Sequence, residues 1–266
     1  MIASLGLYDL PEVRAMTDAV WRAIARELVA EGFSDVPPTL EREQPLDEQW
    51  RDPALLFAQI CGYPLMHAFA GAVRVVAVPC YAVGSCDPGR YRSIVIGRDP
   101  DALRRGSIVA VNDHASHSGK NALGALVAES LGSDDDPEEP FFAAVLITGS
   151  HAASMRAVVC GDADVAAIDC ITHTLVARHR PRELDGTRIV AITADAPAPA
   201  YVTRATARDD EVARMQVAIG RAFSDSDPQI ALARRELLLD SIRVPARREY
   251  DRILELERAH QGRRVF

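Results

Sequence analysis

Ile108-Val109-Ala110-Val111-Asn112-Asp113-His114-Ala115-Ser116-His117-Ser118-Gly119-Lys120-Asn121 is the stretch on which the fold turns. Its four apolar residues, mostly β-branched, end abruptly in a polar loop. Beyond the loop Leu123, Leu126, Val127 and Leu131 recur at helical spacing until Gly132. The order is strand, loop, helix. The same order opens the chain, where Ile2–Leu7 is followed by Val13, Met16, Val20, Ile24 and Leu28 and a stop at Gly32. Further apolar runs lie at Leu55–Ile60, Val73–Val78, Ser93–Ile96, Ala143–Ile147, Val165–Ile168 and Ile189–Ile192, and helical patterns at Ala152–Cys160 and Cys170–Arg178. Runs that are short, continuous and β-branched predict strands buried on both faces of a parallel sheet. The fold class is therefore α/β. From about Asp209 the pattern is mostly amphipathic helix, with Leu237–Leu239 the one apolar run left for a strand.

Composition narrows the function classes. The 266 residues are 48% hydrophobic and 26% charged, as in an ordinary globular protein, and are enough for two modest lobes. A net charge of −8 argues against a nucleic-acid partner and a polybasic membrane patch. No apolar run approaches the roughly 20 residues that span a bilayer. Met1–Asp9 has no basic n-region, apolar h-region or small-residue cleavage site, so the chain as written reads as cytoplasmic, and as periplasmic only if a leader has been trimmed. Cys61, Cys80, Cys86, Cys160 and Cys170 contain no CxxC pair and read as thiols, with a Cys80–Cys86 disulfide as the alternative. Asp134-Asp135-Asp136-Pro137-Glu138-Glu139 reads as a solvated loop, lacking the ligand spacing of a calcium loop. Of 30 basic residues Lys120 is the only lysine.

In an open parallel sheet, ligands gather beyond the carboxyl ends of the strands. Tyr8 and Asp9, then Tyr63, then Asn112–Asn121, Thr148–His151 and Asp169 follow such ends. Ser116-His117-Ser118-Gly119 heads a helix, where hydroxyls, an imidazole, unpaired backbone N–H groups and the helix dipole form an anion cradle. The plainer reading makes one serine an N-cap. Ser150-His151 repeats the arrangement before the next helix, which favours a site. A Walker motif is rejected, because it needs Gly in place of His114 and Ser or Thr in place of Asn121. Asp113, His114, His117 and His151 lack the i, i+4 ligand spacing of HExxH, so no metal is expected. No cofactor motif is present. Ser118, His151 and Asp169 could converge as a catalytic trio, yet residues gathered to bind an oxyanion would look the same.

Three spaced motifs, Asn112-Asp113 to Ser116-x-Ser118-Gly119, Gly149-Ser150-His151 and Gly161-Asp162-Ala163-Asp164-Val165-Ala166-Ala167-Ile168-Asp169, resemble the phosphate/phosphonate substrate-binding proteins of ABC transporters over roughly Ile2 to Val202. The resemblance implies a type II periplasmic-binding-protein fold. Lobe one would be residues 1–78 plus 195–266 and lobe two 79–194, each a mainly parallel sheet flanked by helices, with two crossing strands as hinge and the ligand cleft between. The crossings would fall near Val78–Tyr81 and Thr193–Pro197, with Ala196-Pro197-Ala198-Pro199 a stiff connector. It also implies that Ser116, His117, Ser118 and His151 hold the anion, that Tyr63 and Tyr91 line the cleft, and that Asp169 answers a ligand amino group; Gly119, Ser150 and Tyr8, by their position at strand ends, complete the expected ligand-binding set. In the family the middle of the Ser-x-Ser loop is commonly a hydroxyl residue. Here it is His117, which implies an anion of different charge or size.

The function implied is a non-enzymatic binding protein, a monomer or weak dimer, that takes a phosphonate, phosphate or phosphate ester and passes it to an ABC permease. The alternative is a cytosolic enzyme on the same fold, a lyase of the chorismate-dehydratase type acting on a small carboxylic acid. An effector domain of a transcription regulator would need a helix-turn-helix, and none is legible.

Overall fold

The computed structural model describes residues 1–84, 86–132, 136–246 and 248–266. Its strands are β1 (Ile2–Ser4), β2 (Leu55–Ile60), β3 (Val73–Tyr81), β4 (Arg90–Tyr91), β5 (Ser93–Gly97), β6 (Ile108–Val111), β7 (Ala144–Ile147), β8 (Val165–Asp169), β9 (Arg188–Ile192), β10 (Ala196–Pro197), β11 (Ala200–Arg204) and β12 (Leu239–Arg243). The α-helices are α1 (Arg14–Ala30), α2 (Leu46–Arg51), α3 (Gly62–Met66), α4 (Ala122–Ser130), α5 (His151–Cys160), α6 (Cys170–His179), α7 (Asp209–Phe223), α8 (Pro228–Glu236) and α9 (Asp251–His260). They form two compact units, Met1–Arg90 with Pro197–Glu249 and Tyr91–Ala196 with Tyr250–Phe266.

In the first unit the sheet order is β1-β2-β11-β3-β12. All six residues of β2 are buried, as a continuous apolar run in a central strand requires. Trp21 on α1 stacks on Phe57 at 5.9 Å, and Phe57 meets Tyr201 at 4.9 Å. Each of these large buried side chains contributes roughly 1.5–3 kcal/mol by leaving water. In the second unit the order is β7-β6-β8-β5-β9, with Val95, Val109, Val111, Leu123, Val127 and Phe142 at the core.

Both sheets are mixed rather than mainly parallel. β1 runs parallel to β2, and β7, β6 and β8 are mutually parallel. β11 opposes β2 and β3, and β5 opposes β8 and β9. β5 and β11 follow directly on the chain's entry into a unit, so each starts from the end opposite to its neighbours. The chain changes unit at 90/91 and 196/197 instead of 78/79 and 194/195, because β3 runs on to Tyr81 in register with β12. A third passage at 249/250 returns the last 17 residues to the second unit, where α9 packs on α4.

Other departures are local. The first strand ends at Ser4 rather than Leu7, since Gly6–Tyr8 turns as a 3-10 helix and Asp9 is tied to Arg42 at 2.7 Å. The Ala196–Pro199 connector contains β10, which pairs with β4, and β11 starts right behind it. β12 starts at Leu239, where the apolar run Leu237–Leu239 ends, and runs on through residues that are not fully buried. Of the acidic stretch, Asp134 and Asp135 lie outside the described residues, while Asp136–Glu139 is exposed. The five cysteines remain thiols, Cys80 and Cys86 included. Among the described residues no helix is long and apolar enough to cross a membrane.

Candidate functional site

The anion loop is built from its own polar residues. Asp113 Oδ1 accepts the Ala115 N–H at 2.6 Å and the Asp113 carbonyl accepts the Ser116 N–H at 3.1 Å, closing a tight turn after β6. Ser116 is the N-cap, its Oγ accepting the Gly119 N–H at 2.9 Å. His117–Asn121 then makes a π-helical turn, in which the Asn121 N–H reaches the Ser116 carbonyl at 3.1 Å before α4 continues. Such widened turns cluster at functional sites. A side chain at Gly119 would put its Cβ 1.8 Å from Asn112 Oδ1, so glycine is required by space.

Two further strand ends meet this loop. Gly149, at φ +86°, turns the chain out of β7, and Ser150 caps α5 by accepting the Ala153 N–H at 3.1 Å. His151 is the first residue of α5, and its Nε2 lies 2.9 Å from Ser118 Oγ and 3.4 Å from Asp169 Oδ2. Asp169 ends β8 and caps α6, its Oδ1 accepting the Thr172 N–H at 2.8 Å. Because β7, β6 and β8 are parallel neighbours, the starts of three helices and their positive dipole ends gather at one edge of the sheet.

Burial sets the charge state of this cluster. Burial lowers the His151 pKa, against the Asp169 carboxylate and the Ala167 carbonyl, which raise it, so the ring is neutral at pH 7. Ser118 and Asp169 share one nitrogen, Nε2. A Ser-His-Asp relay needs the carboxylate on the opposite nitrogen from the nucleophile, so these residues do not form one. They present hydroxyl, imidazole and amide donors.

The remaining expected site residues have neighbours of their own. His117 lies deep in the unit: its Nδ1 is 3.0 Å from Asn121 Nδ2, its ring is 5.9 Å from that of Tyr91, and only 2% of the residue is exposed. Burial, with Arg252 nearby, lowers its pKa to about 3, so it stays neutral and occupied inside the unit. Tyr91 is buried beside it. Ser150 is an exposed cap, and Asp169 is engaged with Thr172 and His151. Tyr8 and Tyr63 belong to the first unit, Tyr8 edge-on to Tyr81 at 5.4 Å and Tyr63 against His67 at 4.3 Å. Tyr8, Gln59, Tyr81 and Tyr201 line a small pocket of about 30 Å³ in that unit. Lys120 sits over the Phe266 ring at 5.5 Å. Asn112, Asn121 and His260 were missed. The two asparagines stand inside the quoted loop, but nothing in the sequence ties His260 to it.

A family model for the periplasmic substrate-binding protein of phosphonate ABC transporters matches residues 55–237. No curated protein sequence matches. Among solved structures, a binding protein component of an ABC phosphonate transporter from Pseudomonas aeruginosa is similar at 16% identity and TM-score 0.71, over 92% of this chain and 82% of that one. PhnD1 from Prochlorococcus marinus, in complex with methylphosphonate, is similar at 12% identity and TM-score 0.69, over 92% and 93%. XAC2383 from Xanthomonas citri bound to chloride ion is similar at 17% identity and TM-score 0.70, over 98% and 97%, and its ATP-bound form at TM-score 0.66.

Proposed function

From the premise that the chain belongs to the phosphonate-binding family of ABC-transporter periplasmic substrate-binding proteins, we propose that it binds a small phosphonate or phosphate ester through Ser118 and His151 and delivers it to a permease. The family is one of binding proteins, not enzymes. The observation that carries the ligand reading is the pair Ser118 Oγ and His151 Nε2, 2.9 Å apart, where three helix N-termini gather. The first-turn N–H groups of His117 and Ser118 add donors, because residues at a helix start have no intrahelical acceptor. That one similar structure holds methylphosphonate, and another chloride or ATP, supports an anion as the common element. Asp169, the nearest carboxylate, orients His151. A ligand without an amino group therefore fits the site best.

Calorimetry with methylphosphonate, inorganic phosphate and ATP tests this reading. Saturable binding of at least one is expected, with Ser118→Ala and His151→Ala each weakening it by roughly 1–3 kcal/mol, the worth of a hydrogen bond to a charged group. No binding of any of the three, or unchanged affinity in both variants, would refute the site.

A further inference from the structure

The anion loop rests on a polar cluster that the binding reading leaves unused. The Asn121 side chain, 1% exposed, spends both its amide N–H donors and one acceptor site of its oxygen there. Its Nδ2 donates to His117 Nδ1 at 3.0 Å and to the Ile253 carbonyl at 3.0 Å, and its Oδ1 accepts from His260 Nε2 at 2.9 Å. These bonds dictate one amide orientation, since the flipped amide would set its oxygen against the Ile253 carbonyl. They also fix the proton of His117 on Nε2 and place one on His260 Nε2.

Ile253 and His260 come from α9, 132 and 139 residues further along the chain. Gly124 on α4 admits the His260 ring, because a Cβ there would lie 2.9 Å from it. Phe266, the last residue, packs on Phe142 at 5.6 Å and carries Lys120 on its ring. The segment that returns to the second unit thus grips the loop's helix at Asn121 and Lys120. Asn121 is also the residue whose backbone N–H closes the π turn on Ser116.

We propose that Tyr250–Phe266 is a clasp that positions the Ser116–Ser118 loop, acting through Asn121 and His260 as positioning residues rather than by contact with the anion. A π turn has poorer intrinsic stability than an α turn, so it needs an outside restraint. With Asn121 held at three points, the Ser118 hydroxyl starts from a fixed place against His151, and less ordering remains to be done when the anion arrives. The consequence for affinity rests on the anion reading; the restraint of the turn does not.

The test uses the full chain with His260→Ala and His260→Gln, the latter keeping an N–H able to reach Asn121 Oδ1. Hydrogen exchange at the Asn121 and Gly119 amides reports the turn, and calorimetry with methylphosphonate reports the site. His260→Ala is expected to raise exchange at both amides and to weaken binding by roughly tenfold, about one hydrogen bond's worth, while His260→Gln restores most of both. Unchanged exchange in a folded His260→Ala protein overturns the clasp, and so does faster exchange with unchanged affinity, which would make the cluster merely structural. If the wild-type protein binds none of methylphosphonate, phosphate and ATP, the anion reading fails alone and the exchange data still judge the clasp. Should His260→Ala not fold, Gly124→Ala displaces the same ring and is read by the same criteria.

Discussion

The two Ser-His helix starts of the second unit look alike in sequence and differ in what they do. In both, the serine caps the helix, Ser116 through the Gly119 amide and Ser150 through the Ala153 amide, and the histidine is the next residue. Burial lowers the pKa of both imidazoles. Yet His151 meets Ser118 and Asp169 at the sheet edge, whereas His117 is turned to Asn121 and the C-terminal helix. The helical turn accounts for part of the difference, α after Ser150 and π after Ser116. A histidine at a helix start thus meets a serine and a carboxylate from other strand ends in one case and an asparagine amide of its own turn in the other.

Acid should break the comparison most strongly. His117 has a pKa of about 3 in the folded chain against 6.5 for the free side chain, so between those values the unfolded chain binds a proton that the folded chain does not. Stability from this group is complete above pH 6.5 and falls as pH drops through the window, by several kcal/mol in all at about 1.4 kcal/mol per tenfold change in proton affinity. Urea unfolding at pH 7 and pH 4.5 should show the fall, and His117→Leu should flatten it while lowering stability at pH 7 by leaving an Asn121 N–H unpaired. His151, whose pKa burial also lowers, adds to the loss with the same sign. An unchanged slope in His117→Leu would contradict this assignment.

The glycines before and within the two loops give a smaller effect and a sharper contrast. Gly119→Ala drives a Cβ into Asn112 Oδ1 and to 3.2 Å from Ser116 Oγ, and should cost about 2 kcal/mol, most of it recovered in combination with Asn112→Ala. Gly149→Ala meets nothing within 4 Å, so its cost, roughly 1 kcal/mol, comes from the left-handed backbone and no second substitution should relieve it. Denaturation midpoints of the four proteins would separate space from backbone strain. The caps come last. Ser116→Ala should cost about 1 kcal/mol or slightly more, and Ser150→Ala, whose hydroxyl is exposed, about 0.5 kcal/mol. Equal losses would mean that burial does not distinguish the two caps.

Much of this was legible because it is local. Leu55–Ile60, Ile108–Val111 and Val165–Asp169 are strands in which apolar runs sit on both faces of a sheet, and Gly32 and Gly161 stand where α1 and α5 end. β11 and β12 were less legible, the first hidden behind a proline pair and the second a half-exposed edge strand. Strand direction was not legible, since a buried run reads the same either way.

The α/β order and the family can be read from the chain alone, because periodicity and turn chemistry act within a few residues. Only the tertiary structure decided which histidine reaches the sheet edge. His151 is brought to Ser118 across 33 residues, and Asn121, which occupies His117, is held by α9 from 132 and 139 residues away. A side chain's role is set by its hydrogen-bond partners and burial, and when those arrive from distant segments no local spacing encodes them.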